Sequence, residues 1–259
     1  MATNRSPVRL LAALLLAELF SPPALAATFA DPSTQSEASV AGCQWQPIKA
    51  GGEPSCVLQQ FVGHDLLLSL FDKSDQNHSH PSAQLHISSW YQQAKVSYVD
   101  LLGNGTRFIR VESEGNTGTG TLQKLVSLWG WQQQRLVPVL LETSSYQSVG
   151  KYSEKLTMTY ELQNAQNKRP TLHLHFVYSD NHPSDKVHQQ WEENLIWQPD
   201  AFSFYDSQRQ TSLLQSTANP VYQRIIAARL KLLPLRHHLQ RIDADLLNQI
   251  GMMQILEHE

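Results

Sequence analysis

Asp100-Leu-Leu-Gly-Asn-Gly-Thr-Arg-Phe-Ile-Arg-Val-Glu-Ser-Glu-Gly-Asn-Thr-Gly-Thr-Gly120 is the densest run of turn chemistry in the 259-residue chain. Gly103 and Gly105 suit a backbone that must turn through positive φ, and Asp100 and Asn104 suit loops that bond their own backbone. Strand-like runs flank the turn, Lys95–Leu102 before it and Thr106–Glu112 after it, and Leu122–Trp131 follows the second glycine cluster. The stretch therefore reads as a corner of an antiparallel sheet.

Outward from this corner the pattern repeats. Gln84–Tyr91 alternates polar and apolar residues. Leu122–Trp131 and Leu136–Glu142 flank the polar link Gln132-Gln-Gln-Arg135. Lys155–Leu162 pairs with Thr171–Ser179 across an Asn/Gln/Pro-rich turn, and Val187–Trp197 with Ala201–Tyr205 across Gln198-Pro199-Asp200. Connections this short suit hairpins, whereas parallel strands would need helical crossovers. Phe61–Phe71 contains the short apolar run Asp65–Phe71, which suits a buried strand or a helical turn. The fold class is mainly β, an antiparallel hairpin series forming a partial propeller-like or sandwich sheet, with a C-terminal helical segment. In that segment Ser207–Ala218 is polar. Asn219 and Pro220 open a helix carrying Ile225, Ile226, Leu230 and Leu233, and Pro234 ends it. Leu239 to Leu256 fits a second helix. The organisation expected is residues 43–206 as the β domain and 207–259 as helices packed on it.

Asp100-Leu101-Leu102-Gly103-Asn104-Gly105 followed by Phe108-Ile109-Arg110-Val111 resembles the Asp-x-x-Gly-(Asp/Asn)-Gly repeat of FG-GAP/VCBS-type β-propeller proteins, over residues 96–143. The resemblance implies a secreted β fold and an ion loop in which Asp100 and Asn104 would face calcium. Calcium takes six to eight oxygen ligands, often several carboxylates, and this loop offers one. A hairpin corner is the expectation the residues favour.

The first 26 residues have the form of a signal peptide: Arg5 and Arg9, a short apolar run Leu10–Phe20, a Ser-Pro-Pro break and Ala24-Leu25-Ala26. Residues 27–42 read as a flexible mature N-terminus. Removing the leader takes the net charge from -3 to -4. No basic block is present, which excludes the electrostatic footprint of a nucleic-acid binder. No second apolar run is long enough to span a membrane. The chain's two cysteines, Cys43 and Cys56, are expected to form one disulfide in an oxidising compartment. The location expected is periplasmic or secreted.

Candidate site residues fall into three groups. His173-x-His175 on a strand puts two imidazoles on one face, where they could share zinc with His182 or His188. His78-x-His80 repeats the spacing in a polar loop. The tryptophans Trp129 and Trp131, and Trp191 and Trp197, have matching strand parity and would form a binding platform if exposed. Glu192, Glu193 and Asp200 are the carboxylates available to a hydrolase, although Glu192 and Glu193 must face opposite ways. No nucleophile elbow, zincin, P-loop or dinucleotide motif occurs. These features favour an exported, non-enzymatic binding or envelope-accessory protein with a protein, peptide or glycan partner and no required cofactor. The alternatives are a hydrolase of an envelope polymer and a metal-capturing protein.

Overall fold

A computed structural model describes residues 43–73, 80–89, 92–118, 120–148, 153–163, 169–181 and 186–256. The expected leader, residues 27–42, His78 and His182 lie outside them.

The corner at residue 100 joins the first two strands of a seven-stranded meander. These strands are β5 (Lys95–Val99), β6 (Phe108–Gly118), β7 (Thr121–Gln132), β8 (Arg135–Ser148), β9 (Glu154–Gln163), β10 (Thr171–Asn181) and β11 (Lys186–Ile196). They pair antiparallel in chain order. A propeller blade has four strands, so this meander is wider than one. A second sheet holds β1 (Gln44–Gln46), β2 (Ser55–Val62), β3 (Asp65–Asp72) and β4 (Ala83–Ser88). A short β12 (Arg241–Ile242) lies parallel to β4. The Cys43–Cys56 disulfide, with Cα atoms 5.5 Å apart, secures the entry to this sheet. Closing so short a loop contributes about 3 kcal/mol in the chain-entropy picture.

The strands form where alternation allows one face to be buried. Leu172, Leu174, Phe176 and Tyr178 point inward from β10, while Thr171, His173, His175 and Val177 point outward. Helix α2 (Pro220–Leu232) covers this inner face with Val221, Tyr222, Ile225 and Ile226. Asn219 caps it as expected, its Oδ1 accepting the Tyr222 N–H at 3.0 Å.

Three expectations change. Residues 201–205 form no strand beyond a single bridge, Gln198 to Ser203. The polar stretch Ser207–Ala218, to which no helix was assigned, holds helix α1 (Ser207–Ser216), opened by Asp206 accepting from the Gln208 and Arg209 N–H groups. The second C-terminal helix is only α3 (Ala244–Ile250), stopped by Gly251 at φ +82°. The chain around Arg241 goes instead to the β4 edge.

The feature that shapes the interior is a split in the seven-stranded sheet. β8 pairs with β7 along most of its length but with β9 only at Ser145–Gln147. The remaining backbone groups of β8 need partners, because a buried unpaired amide is costly. Residues after β11 supply some. Phe204 N–H donates to Val139 O at 3.2 Å. The Tyr205 hydroxyl donates to Leu141 O (2.8 Å) and accepts from Leu141 N–H (3.0 Å).

Candidate functional site

Two groups of polar side chains stand out, one inside the split and one on the outer sheet face. The inner group is built on Arg229 of α2, which is 1% exposed. Its Nε donates to Glu142 Oε1 and its Nη1 to Glu193 Oε2, both at 2.6 Å. Gln210 of α1 joins them, donating to Glu193 Oε1 at 3.0 Å and accepting from Arg229 Nη1 at 3.2 Å. Strand parity places Glu193 inward and its neighbour Glu192 outward, as the alternation requires. Glu193 is thus buried. It ties the edge strand β11 to the helices.

Burial pushes the Glu142 carboxyl above the ordinary range, against the pull of Arg229 and Tyr205. Burial works against Glu193 too, but the Arg229 charge and bonds from Arg229, Gln210 and Tyr222 hold it below that range. Burial would depress Arg229, yet the two carboxylates keep it well above its usual value. The proton count agrees. Tyr205 has one hydroxyl proton and two acceptor neighbours, Leu141 O and Glu142 Oε1 at 2.7 Å. A proton on Glu142 lets the acid donate to Tyr205 while Tyr205 donates to Leu141 O, and all three groups are satisfied.

This arrangement sets a pH dependence with two limbs. The folded chain keeps the Glu142 proton to higher pH than the unfolded chain does. The associated stability is present at acid pH and is lost as pH rises through the raised value. Glu193 acts oppositely, its contribution disappearing as pH falls through its lowered value. Glu142→Gln should remove the alkaline limb, worth up to about 1.4 kcal/mol per pH unit, and leave the acid limb. Urea midpoints measured across both limbs check this, and parallel profiles for wild type and variant contradict it.

The predicted site residues occupy several different environments. Trp129 is fully buried, its indole N–H donating to Ser127 at 2.8 Å. Trp197 is buried in an aromatic cluster with Phe108, Phe202 and Phe204. Trp191 stacks on Phe176 at 5.2 Å, and Trp131 lies beneath Lys49, whose Nζ is 4.4 Å from the ring centroid. The fold thus draws these indoles toward the core and its margins. In the corner loop, Asp100 accepts the Asn104 and Gly105 N–H groups at 3.2 and 2.9 Å, and Asn104 Oδ1 accepts Thr106 N–H at 3.0 Å. Gly103 and Gly105 take φ +67° and +84°. Both oxygen-bearing side chains therefore bond the turn itself.

The outer group keeps its predicted address. His173 and His175 face outward on β10, opposite Asn194 and Glu192 of β11 and Glu161 and Thr159 of β9. His173 Nδ1 lies 2.8 Å from Asn194 Oδ1. The Glu192 carboxylate reaches both rings, 3.7 Å from His173 Nε2 and 3.7 Å from His175 Nδ1. Among the described residues, no group of three or more His, Cys, Asp or Glu side chains is placed to hold a metal ion. The cross-strand partners Glu192 and Asn194 were not visible to sequence reasoning, because they depend on the β10–β11 register.

Comparison with known proteins adds no relative: no protein-family model matches the chain, and neither does a curated protein or a solved structure.

Proposed function

We propose that this chain is an exported, non-enzymatic binding or envelope-accessory protein that uses the outer face of β9–β11 as its recognition surface. The observation that carries this reading is the division of labour between the two faces of those strands. The inner face is anchored by Leu172, Leu174, Phe176 and the Glu193–Arg229 pair. The outer face holds His173, His175, Glu192 and Asn194 in a cross-strand array on that rigid base. Recognition groups on strands are positioned more precisely than groups on loops.

Export is supported by the leader-like residues 1–26 together with the Cys43–Cys56 disulfide, a bond that persists in oxidising compartments. No helix among the described residues is long and apolar enough to cross a membrane. Expression of the full chain in a bacterium should give a periplasmic or released product that starts at Ala27 and has no free thiol. The product should also sediment with isolated envelopes, and a Glu161→Lys/Glu192→Lys variant should not. An uncleaved cytoplasmic chain with two free thiols refutes export, and equal sedimentation of the two proteins refutes the assigned face.

A further inference from the structure

We propose that a basic cavity between the start of β4, the β7–β8 turn and the chain after α2 binds a tetrahedral oxyanion, the phosphate or sulfate group of a small molecule or of a larger one. Arg135, His237 and His238 carry the charge of the site, and Gln134 and Gln240 add neutral amide donors. The site shares no residue with the β9–β11 face and does not rest on the reading proposed for it.

The cavity holds about 210 Å³ and joins three segments distant in sequence, Ser82–Gln84, Gln134–Leu136 and His237–Gln240. It is smaller than the roughly 300–1,000 Å³ of drug-sized sites, which suits a compact polar group. Its walls are basic. Among the described residues, no Asp or Glu lines it. The whole chain carries a net charge of -3, so this gathering of basic groups runs against its composition. Asp72 reaches the rim through Ser82, whose hydroxyl lies 3.4 Å from Asp72 Oδ1, and Lys49 pairs with that oxygen.

Two local devices place the donors. Arg135 Nη1 donates to His237 O at 2.8 Å. That bond ties the guanidinium to the turn Arg236–His238 and leaves its other N–H groups for a ligand. A guanidinium presents its donors in a planar fork that matches oxyanion geometry. The second device is the β7–β8 turn. Gln133 and Gln134 take φ +50° and +61°, a conformation in which two-residue hairpins favour Asn-Gly. Glycine at 134 would relieve the backbone, whereas glutamine keeps an amide on the cavity wall. Backbone outliers of this kind concentrate at ligand sites.

His237 senses the local field. Burial, together with the charges of Arg236, His238 and Arg135, holds its imidazole below the ordinary histidine range. Two of those groups belong to its own turn and one to β8. An anion placed among them offsets their repulsion and favours the protonated ring, so binding takes up a proton.

The test is isothermal titration calorimetry of the purified full chain with sodium sulfate, with ionic strength held constant by sodium chloride. Sulfate keeps its double charge across the histidine range, so any pH dependence belongs to the protein. Wild type should bind about one sulfate with a dissociation constant of about 1 mM or lower near about pH 6, and should bind it about 5-fold more weakly near about pH 8. Arg135→Ala and His238→Ala should each weaken binding about 10-fold, the effect of losing one charge-assisted hydrogen bond. Both side chains are exposed, so circular dichroism should not change. Gln134→Gly separates binding from folding: affinity should fall about 3-fold while the thermal midpoint without anion holds or rises. His237→Gln should flatten the pH profile. Inorganic phosphate should compete with sulfate. Sedimentation with phosphatidylcholine vesicles only when they contain phosphatidic acid, lost in Arg135→Ala, assigns the group to a lipid. Phosphate competition without such sedimentation assigns it to a soluble molecule. No saturable sulfate binding by wild type, or equal binding by wild type and Arg135→Ala, overturns the site. An unchanged pH profile in His237→Gln overturns the role of that ring. None of these outcomes bears on the Glu161→Lys/Glu192→Lys comparison.

Discussion

Arg229→Met should be the most destabilising single change in the polar interior, lowering the unfolding free energy by about 3–5 kcal/mol. Met keeps the length and helix preference of Arg, so α2 itself loses little. What is lost is the cation between two buried carboxyl groups. Glu193 then carries its charge with only Gln210 and Tyr222 to solvate it, and Gln210 Oε1 loses the Arg229 donor. A buried charge left without its partner costs more than the intact pair contributes. The proof lies in the combination. Glu142→Leu/Glu193→Leu/Arg229→Met removes the whole ionisable set together and should recover most of the loss, because apolar replacement of a whole buried ion set is often neutral or stabilising. Denaturant midpoints of the single and triple variants decide it. A loss below about 1 kcal/mol for Arg229→Met, or a triple variant worse than the single, refutes the assignment of Arg229 as the clamp across the split.

The same residues show why the interior was only partly legible. The β10 alternation, the Asn219 cap and the residue 100 corner could be read because each signal is local. Helix α1 was missed because it has no apolar stripe: Gln210 is its only buried residue. Its one readable sign was Asp206 ahead of a polar run, a capping residue with no hydrophobic face to confirm it. The clamp did leave a trace in the sequence. Glu142 ends the apolar run Leu136-Val-Pro-Val-Leu-Leu, and Arg229 falls among Ile225, Ile226, Ala228 and Leu232 on one helix face. A lone opposite charge on each of two buried surfaces signals pairing. Which carboxylates Arg229 would meet depends on the split between β8 and β9, a long-range feature with no local signature. The aromatic residues were legible only in part, for a related reason. Parity told which side Trp129 would face, but not that a packed layer waits there.

That layer makes Gly130→Ala the second large expected effect, a loss of about 1–3 kcal/mol or more. A Cβ on residue 130 would lie 2.5 Å from Phe108 Cε1 and 2.7 Å from Phe202 Cζ. Neither ring can withdraw easily. Phe108 is 1% exposed and stacks with Phe202 at 6.0 Å, while Trp197 meets both rings edge-on at 5.9 and 5.3 Å. Phe202 is further fixed by its backbone. It takes φ +47°, a left-handed conformation uncommon for a bulky residue. The Arg236 guanidinium bonds the carbonyls of both Ala201 and Phe202 to hold that turn. Gly130 thus provides the slot into which a strained turn lowers its ring, and that turn leads directly to Phe204 and Tyr205, which fill the split beside β8. Gly130→Ala should therefore lower the unfolding midpoint and also perturb the near-ultraviolet signal of Trp197. Adding Phe202→Leu, which vacates part of the slot, should recover stability relative to Gly130→Ala alone, whereas Phe202→Leu in the wild-type background should destabilise. Additive losses in the double variant would show that the two positions do not share the slot.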